Sequence, residues 1–175
     1  MSRFVHLHVH THYSLLDGLT QIDPLIAKVK FHGMEACAIT DHGAMHGAIE
    51  FNNACKKAGV KPLIGMEAYV APRSRTEKTG RGGENDTSHL TLIAKNLTGY
   101  RNLMKLATRA QLEGFYYKPR IDHELLSELG EGIIALSGCL NGEIPKAILG
   151  NEQTRARELA RQAIILSSLV AEKTE

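Results

Sequence analysis

No apolar run in the 175 residues approaches the roughly 20 that a membrane-spanning helix requires, so no membrane span is expected. No secretory leader is expected either, because the first ten residues carry His6, His8 and His10 where an apolar stretch would stand. Cysteine is scarce. Cys37, Cys55 and Cys139 show no paired spacing, which argues against a disulfide framework and for a reducing cytoplasm. Charge of either sign is nearly balanced at a net +2, so any grip on nucleic acid has to come from a local patch. No glycine-rich loop of the P-loop type occurs, Ser137-Gly138-Cys139 lacks the flanks of a nucleophile elbow, and no internal repeat is found. What is present is 43% hydrophobic residues in a length suited to one domain with its own core, and nine histidines.

Four of those histidines alternate in Arg3-Phe4-Val5-His6-Leu7-His8-Val9-His10-Thr11-His12. Residues two apart share a face of an extended chain, so a strand here lines up His6, His8, His10 and His12. Imidazoles in such a row converge on a metal where the strand ends. The alternatives are an exposed polar strand face or an artificial tag, although tags are uninterrupted runs.

The rest of the chain alternates strand and helix patterns. A strand is expected over residues 3–10, then a helix opened by Asp23-Pro24 and stopped by Gly33. Residues 35–40 form a short, nearly all-apolar strand of the kind covered on both faces. A helix over 46–58 closes at Gly59, and a strand over 60–70 leads into a long loop at 72–88. A strand over 89–95 precedes a helix over 97–112, whose apolar face carries Tyr100, Leu103, Met104, Ala107 and Leu112. A strand over 132–137, a short segment over 142–149 and a helix over 152–170 complete the pattern. This alternation predicts an α/β protein with a parallel sheet, doubly wound or closed as a barrel. Barrels gather functional groups at the carboxyl ends of strands. His8, His10, Asp41, His42, Glu67 and Cys139 fall at such ends and Asp17 on the first loop, whereas His89 stands at the start of its strand.

Imidazole with carboxylate suits zinc, manganese or iron, and a thiolate shifts the preference toward zinc. Glu67 sits among apolar neighbours, where a carboxylate without a partner is costly; its other reading is a surface charge. His89 also reads as a satisfied loop or core histidine, and Cys139 as a small buried residue. His6 and His12 are expected at the rim, and Asp41 is expected to orient a ligand or cap a turn. Cys37 and Cys55 read as core. In the loop, Arg73, Arg75, Lys78 and Arg81 are nearly cancelled by Glu77, Glu84 and Asp86, so a solvated loop is expected over a phosphate contact. Tyr116-Tyr117-Lys118-Pro119-Arg120 places aromatics beside cations, which suits single-stranded DNA and equally core or interface packing.

The motifs His8-Val9-His10-Thr11, Ser14-Leu15-Leu16-Asp17-Gly18 and Ala38-Ile39-Thr40-Asp41-His42-Gly43 resemble the polymerase and histidinol phosphatase (PHP) superfamily. With Gly65 to Val70, Ser88 to Ala94, Asn96 to Leu103 and Leu136 to Cys139, the likeness narrows to the N-terminal PHP domains of bacterial DNA polymerase III alpha subunits. The resemblance implies a distorted seven-stranded, TIM-like β/α barrel holding up to three divalent ions, zinc first with manganese or iron as alternatives. It puts the metal ligands on His8, His10, Asp17, His42, Glu67, His89 and Cys139, with Glu67, His42 and Asp17 closest to the chemistry. The family's closing Asp-x-His does not occur after Cys139, and the pattern stops after about five strands, as in an N-terminal fragment. The implied division is a PHP domain over 1–150 and a terminal helix and tail over 151–175. The implied activity is that of a metal-dependent phosphoesterase acting as a 3′–5′ proofreading exonuclease in DNA replication. The alternatives are a metal-stabilised scaffold docking a separate exonuclease, or a small-molecule phosphatase of histidinol-phosphate type. The implied partners are DNA, the rest of the alpha subunit, and the replicase exonuclease and clamp subunits, in the cytoplasm and away from membranes.

Overall fold

A computed structural model of the protein describes residues 4–15, 17–79 and 87–168. In chain order these form α1 (Ile22–Phe31), β1 (Ala36–Ile39), α2 (Ala48–Ala58), β2 (Lys61–Val70), β3 (Ser88–Ala94), α3 (Leu97–Leu112), β4 (Arg120–Ile121), α4 (His123–Leu129), β5 (Ile133–Leu136), α5 (Glu143–Leu149) and α6 (Gln153–Ser168). Among the described residues no helix is long and apolar enough to cross a membrane. Residues 169 and 170, the expected end of the last helix, lie outside the described residues.

The long strand β2 organises the sheet. Its first half pairs in parallel with β1, from Ala36↔Lys61 to Ile39↔Ile64. Its second half pairs antiparallel with β3, from Gly65↔Ile93 to Val70↔Ser88, while β4 joins in parallel at Tyr69 and Val70. β5 runs antiparallel to β3. The expected parallel sheet is therefore a mixed one, and the described residues supply a partial sheet of five strands rather than seven. The cause lies in the connections: parallel neighbours need a crossover, usually a helix, and the described part of the segment between β2 and β3 contains none.

Antiparallel pairing also accounts for His89. It opens β3 but sits opposite Tyr69 near the end of β2. Because β5 is antiparallel to β3, its own end, which leads into Cys139, points the same way. The chemistry-bearing residues thus collect at one end of a sheet whose strands do not all run in one direction.

The expected strand over 3–10 is an extended segment without a regular ladder. The Ala38 N–H donates to the His6 carbonyl (2.8 Å) and the Thr40 N–H to the Val9 carbonyl (2.9 Å). Two residues lie between His6 and Val9 where one lies between Ala38 and Thr40. That extra residue breaks the ladder as a bulge does and re-aims the side chains.

α1 begins at Ile22, two residues earlier than a cap at Asp23 with Pro24 in the first helical position suggested, with Gln21 as a cap that makes no side-chain bond; Gly33, at φ 66°, ends it. α2 starts at Ala48 rather than 46 and closes at Gly59. α3 has the expected bounds, and the Asn96 side chain accepts from the Gly99 N–H at 2.9 Å. Its buried face, however, carries Gly99, Asn102, Leu103, Leu106 and Ala110, while Met104 and Leu112 are exposed. The helix is rotated because Gly99 packs directly on Gly132: a Cβ there would stand 1.8 Å from the Gly132 carbonyl oxygen. β4 and α4 were not expected; two residues are too few to show a period, and only Asp122, which caps α4 by accepting from the Leu125 N–H (3.0 Å), signals them.

Two apolar cores flank the sheet. Ile22, Ile26, Val29, Phe51, Cys37 and Cys55 fill the space between β1, α1 and α2. Burial pushes the Cys37 thiol up to about 11 and the Cys55 thiol up to about 12, in keeping with their reading as core residues. Met66, Ala68, Val70, Leu92, Leu103, Leu106 and Leu125 fill the other. Since side chains alternate along β2, Glu67 and Tyr69 face away from that second core.

Past the end of β2 the described part of the loop, residues 72–79, is anchored at Arg75, while Arg73, Thr76, Lys78 and Thr79 stay exposed as a solvated loop would be. Arg75 is buried; its guanidinium lies 3.0 Å from Asp122 and 2.7 Å from Glu113, and its N–H donates to Asp122 at 2.9 Å. Arg73 pairs with Glu77, whereas Arg81, Glu84 and Asp86 lie outside the described residues. Burial pushes the Asp122 carboxyl up, but the N–H groups of Arg75 and Leu125 and the Arg75 charge outweigh it and hold it below the usual range. Asp122→Asn keeps a competent cap but leaves Arg75 short of its carboxylate, and is expected to cost about 3 kcal/mol in denaturant melts at pH 7. The depressed carboxyl contributes stability above the ordinary Asp value of about 4, and that contribution is lost as pH falls through the lower folded value. The stability–pH curve of the variant is therefore expected to be flatter than wild type below about pH 4.

Candidate metal centre

Glu67 is 2% exposed and stands where several segments meet. Its backbone is tied to the 41–43 turn: the Glu67 N–H donates to the Asp41 carbonyl (3.0 Å) and the Gly43 N–H to the Glu67 carbonyl (2.8 Å). That pairing, continuing β1 beyond its ladder, sets His42 beside the carboxylate. His8 Nε2 lies 2.5 Å and His10 Nε2 2.9 Å from Glu67 Oε2. His89 Nδ1 contacts Oε1, and His42 Nδ1 is 4.0 Å from Oε2. His42 Nε2 is 2.8 Å from Asp17 Oδ2, and Cys139 Sγ is 3.8 Å from His89 Nδ1. The rings pack on one another as well, with His10 stacked on His42 at 4.1 Å.

Two supports hold this arrangement. Buried Asp41 accepts from the Thr11 N–H (2.6 Å), the Thr11 hydroxyl (2.9 Å) and the Ser14 hydroxyl (2.9 Å), and the Ser14 oxygen accepts from the His42 N–H at 3.2 Å. Asp41 thus fixes the turn that carries Asp17 toward His42, which fits the positioning role expected of it. Gly18 completes the turn, since a Cβ there would stand 1.8 Å from the Thr11 carbonyl oxygen. On the other side, the His89 N–H donates to the Asn141 carbonyl (3.0 Å), and Gly138 adopts φ 77°, which holds Cys139 next to His89.

The carboxylate sits among imidazoles on every side. Burial pushes the Glu67 carboxyl up, but hydrogen bonding to His10, His8 and His89 and the His42 charge outweigh it, so the net shift is strongly downward. His10 is raised, chiefly through its bond to Glu67 and against the effect of burial. One ligand atom each from His8, His10 and Glu67 lies within 4.8 Å of the others, and the same holds for Glu67, His89 and Cys139. Glu67 belongs to both groups. His8 Nε2 and His10 Nε2, only 3.1 Å apart, point lone pairs or protons at one another as well as at the carboxylate. Ligand atoms this close sit comfortably only around a shared proton or a cation. The Nδ1 atoms of His10, His42 and also His12, which lies outside both groups, are buried without a hydrogen-bond partner among the described residues. The donor set fits a borderline divalent ion such as zinc.

Of the seven expected ligands, His8, His10, Glu67, His89 and Cys139 therefore fall into two groups that share Glu67, and Asp17 and His42 form an adjoining pair. Asp17 is the outermost, 54% exposed on its side chain. His6 packs edge-on against Phe4, and His12 lies tilted against Tyr13 at 4.4 Å; neither joins the groups. Tyr69 was not singled out from the sequence. Its ring lies 5.7 Å from His42 and 5.2 Å from His89, and the signal was its position two residues beyond Glu67 on one strand face.

Residues 6–168 match the PHP domain family. The chain is 55% identical over 150 residues to DNA polymerase III subunit alpha of Thermus aquaticus, covering 84% of this chain and 12% of that protein. It is 49% identical over 159 residues to the same subunit of Treponema pallidum (strain Nichols), covering 91% of this chain and 14% of that protein. The chain thus spans only about an eighth of the length of these relatives. Among solved structures, an amidohydrolase from Chromobacterium violaceum with bound sulfate is similar at 22% identity and a TM-score of 0.45, covering 61% of this chain and 33% of that one. That likeness is too distant to bear on the reaction.

If His8 and His10 serve one ion, His8→Ala and His10→Ala are each expected to remove most of the divalent metal bound at that position, and the double variant to lose little more. Elemental analysis of dialysed protein checks this; additive losses would show that the two residues act separately.

Proposed function

The chain belongs to the PHP domain family, and on that premise we propose that it is the metal-dependent phosphoesterase domain of a DNA polymerase III alpha subunit, removing nucleotides from the 3′ end of DNA. The observation that carries this reading is the buried Glu67 carboxylate shared by two groups of donors. His8, His10 and Glu67 would hold one divalent ion and Glu67, His89 and Cys139 a second, with Asp17 and His42 serving a third or flanking position. Divalent ions held there would supply Lewis-acid polarisation of a phosphodiester and acidify water, the chemistry that phosphoryl displacement needs.

The chain's own groups set up that chemistry. Glu67 stays ionised, so it offers both oxygens as ligands at once. Asp17 Oδ2 favours the His42 tautomer that carries its proton on Nε2, which turns the Nδ1 lone pair toward Glu67. Asp41 orients this pair from behind without touching the site. The names of the relatives supply the polymer: the reading carries with it DNA as substrate and, as partners, the rest of an alpha subunit with replicase exonuclease and clamp subunits, in the cytoplasm.

The test is a 5′-labelled single strand incubated with zinc or manganese and an alpha subunit carrying this domain. Stepwise shortening from the 3′ end is expected, and Glu67→Gln, which keeps shape but not charge, is expected to slow it by about 100-fold or more with circular dichroism unchanged. Retained zinc with no shortening above that control would replace this reading with the metal-stabilised scaffold.

A further inference from the structure

Beside the metal centre, the segment between α3 and β4 presents a second kind of surface. Tyr117 holds φ 58°, a left-handed conformation rare for a bulky residue, and its side chain is 67% exposed. The turn around it is closed by the Tyr116 N–H donating to the Lys118 carbonyl at 3.1 Å. Buried Arg120 anchors it from below, donating from Nε to the Gly114 carbonyl (3.0 Å) and from Nη2 to the carbonyls of Arg75 (3.0 Å) and Glu77 (2.9 Å). Arg120 also lies under the Tyr116 ring at 5.1 Å, and the Tyr116 ring meets that of Tyr117 edge-on at 4.7 Å. Such backbone strain persists where the surroundings enforce it, and here a stack of anchored groups enforces an outward-facing aromatic ring.

Lys118 connects this turn to the metal centre. Its ammonium lies 4.6 Å from the centre of the Tyr69 ring, the same ring that packs against His42 and His89. One aromatic ring therefore separates a fixed positive charge from the candidate ligands, and an exposed aromatic face stands next to that charge. A cation beside a stacking platform is the pairing that binds a single-stranded polynucleotide, phosphate to the charge and base to the ring.

The geometry points to Lys118 and Tyr117 as the residues that hold the single strand at the mouth of the metal centre, Lys118 on a backbone phosphate and Tyr117 stacked on a base. The inference rests on the phosphodiesterase reading for the choice of polymer. Both are positioning residues, since neither touches the candidate metal ligands directly.

Binding of a fluorescent single-stranded DNA to the chain, followed by anisotropy in chelator over a salt series, tests this without turnover. Lys118→Met is expected to weaken binding and to reduce the slope of log affinity against log salt by about 0.7, the share of one phosphate contact on a single strand. Lys118→Arg is expected to restore both. Tyr117→Gly relieves the strained backbone while removing the ring, and is expected to weaken binding by about tenfold with the salt slope unchanged, whereas Tyr117→Phe keeps wild-type affinity. Affinities and slopes of Lys118→Met and Tyr117→Gly indistinguishable from wild type would overturn the inference. A chain that shows these losses yet belongs to an alpha subunit without 3′ shortening would support this strand-binding role while overturning the catalytic reading.

Discussion

The constraint on which the structure depends is the burial of a carboxylate. Removing an ion the size of the Glu67 side chain from water costs several kcal/mol even after the protein relaxes, and the cost is tolerable only if partners surround it. The fold supplies them from separate segments: His8 and His10 from the bulged N-terminal segment, His42 from the turn after β1, and His89 from the start of β3. Each of those segments is itself fixed by a local device, such as the Asp41 network under Thr11 and Ser14 or the left-handed Gly138 beside His89. A single strand, β2, sends Met66, Ala68 and Val70 into the apolar core and Glu67 and Tyr69 to the other face. Core packing and site assembly are thus two consequences of the same two-residue period.

Much of this was legible in the sequence, for identifiable reasons. The alternating histidines, the acidic residue in the apolar run of β2 and the Asp41-His42 pair announced themselves because a strand's period is short and the residue types are chemically distinctive. The bounds of α3 were legible because Asn96 is a strong cap. Its buried face was not, since the helix phase is set by the contact of Gly99 with Gly132, a long-range fit that no local period encodes. Strand direction was hidden for the same kind of reason. A run such as 88–94 reads alike in either direction, and only its antiparallel pairing with β2 decides that His89 arrives at the right end.

The loop that follows β2 shows where charge counting fails. Arg75 and Glu77 looked like members of a cancelling, solvated set. In the fold, Arg75 is buried against Asp122 and Glu113, and the Glu77 carbonyl receives Arg120. Those bonds stiffen the ground on which the Tyr116–Lys118 turn stands, so an ion-pair network remote from the metal centre fixes the surface beside it. Rigid support of this kind is what a site needs if its groups are to keep their separations to within a fraction of an ångström.

The account turns on Glu67 being shared by two cation positions. Anomalous diffraction from zinc-loaded crystals, recorded on either side of the zinc absorption edge, tests that most directly. The expected map holds one peak against His8, His10 and one Glu67 oxygen and another against His89, Cys139 and the other oxygen. Zinc bound elsewhere on the chain, or a full complement of metal with Glu67 outside coordination distance of every peak, would contradict it.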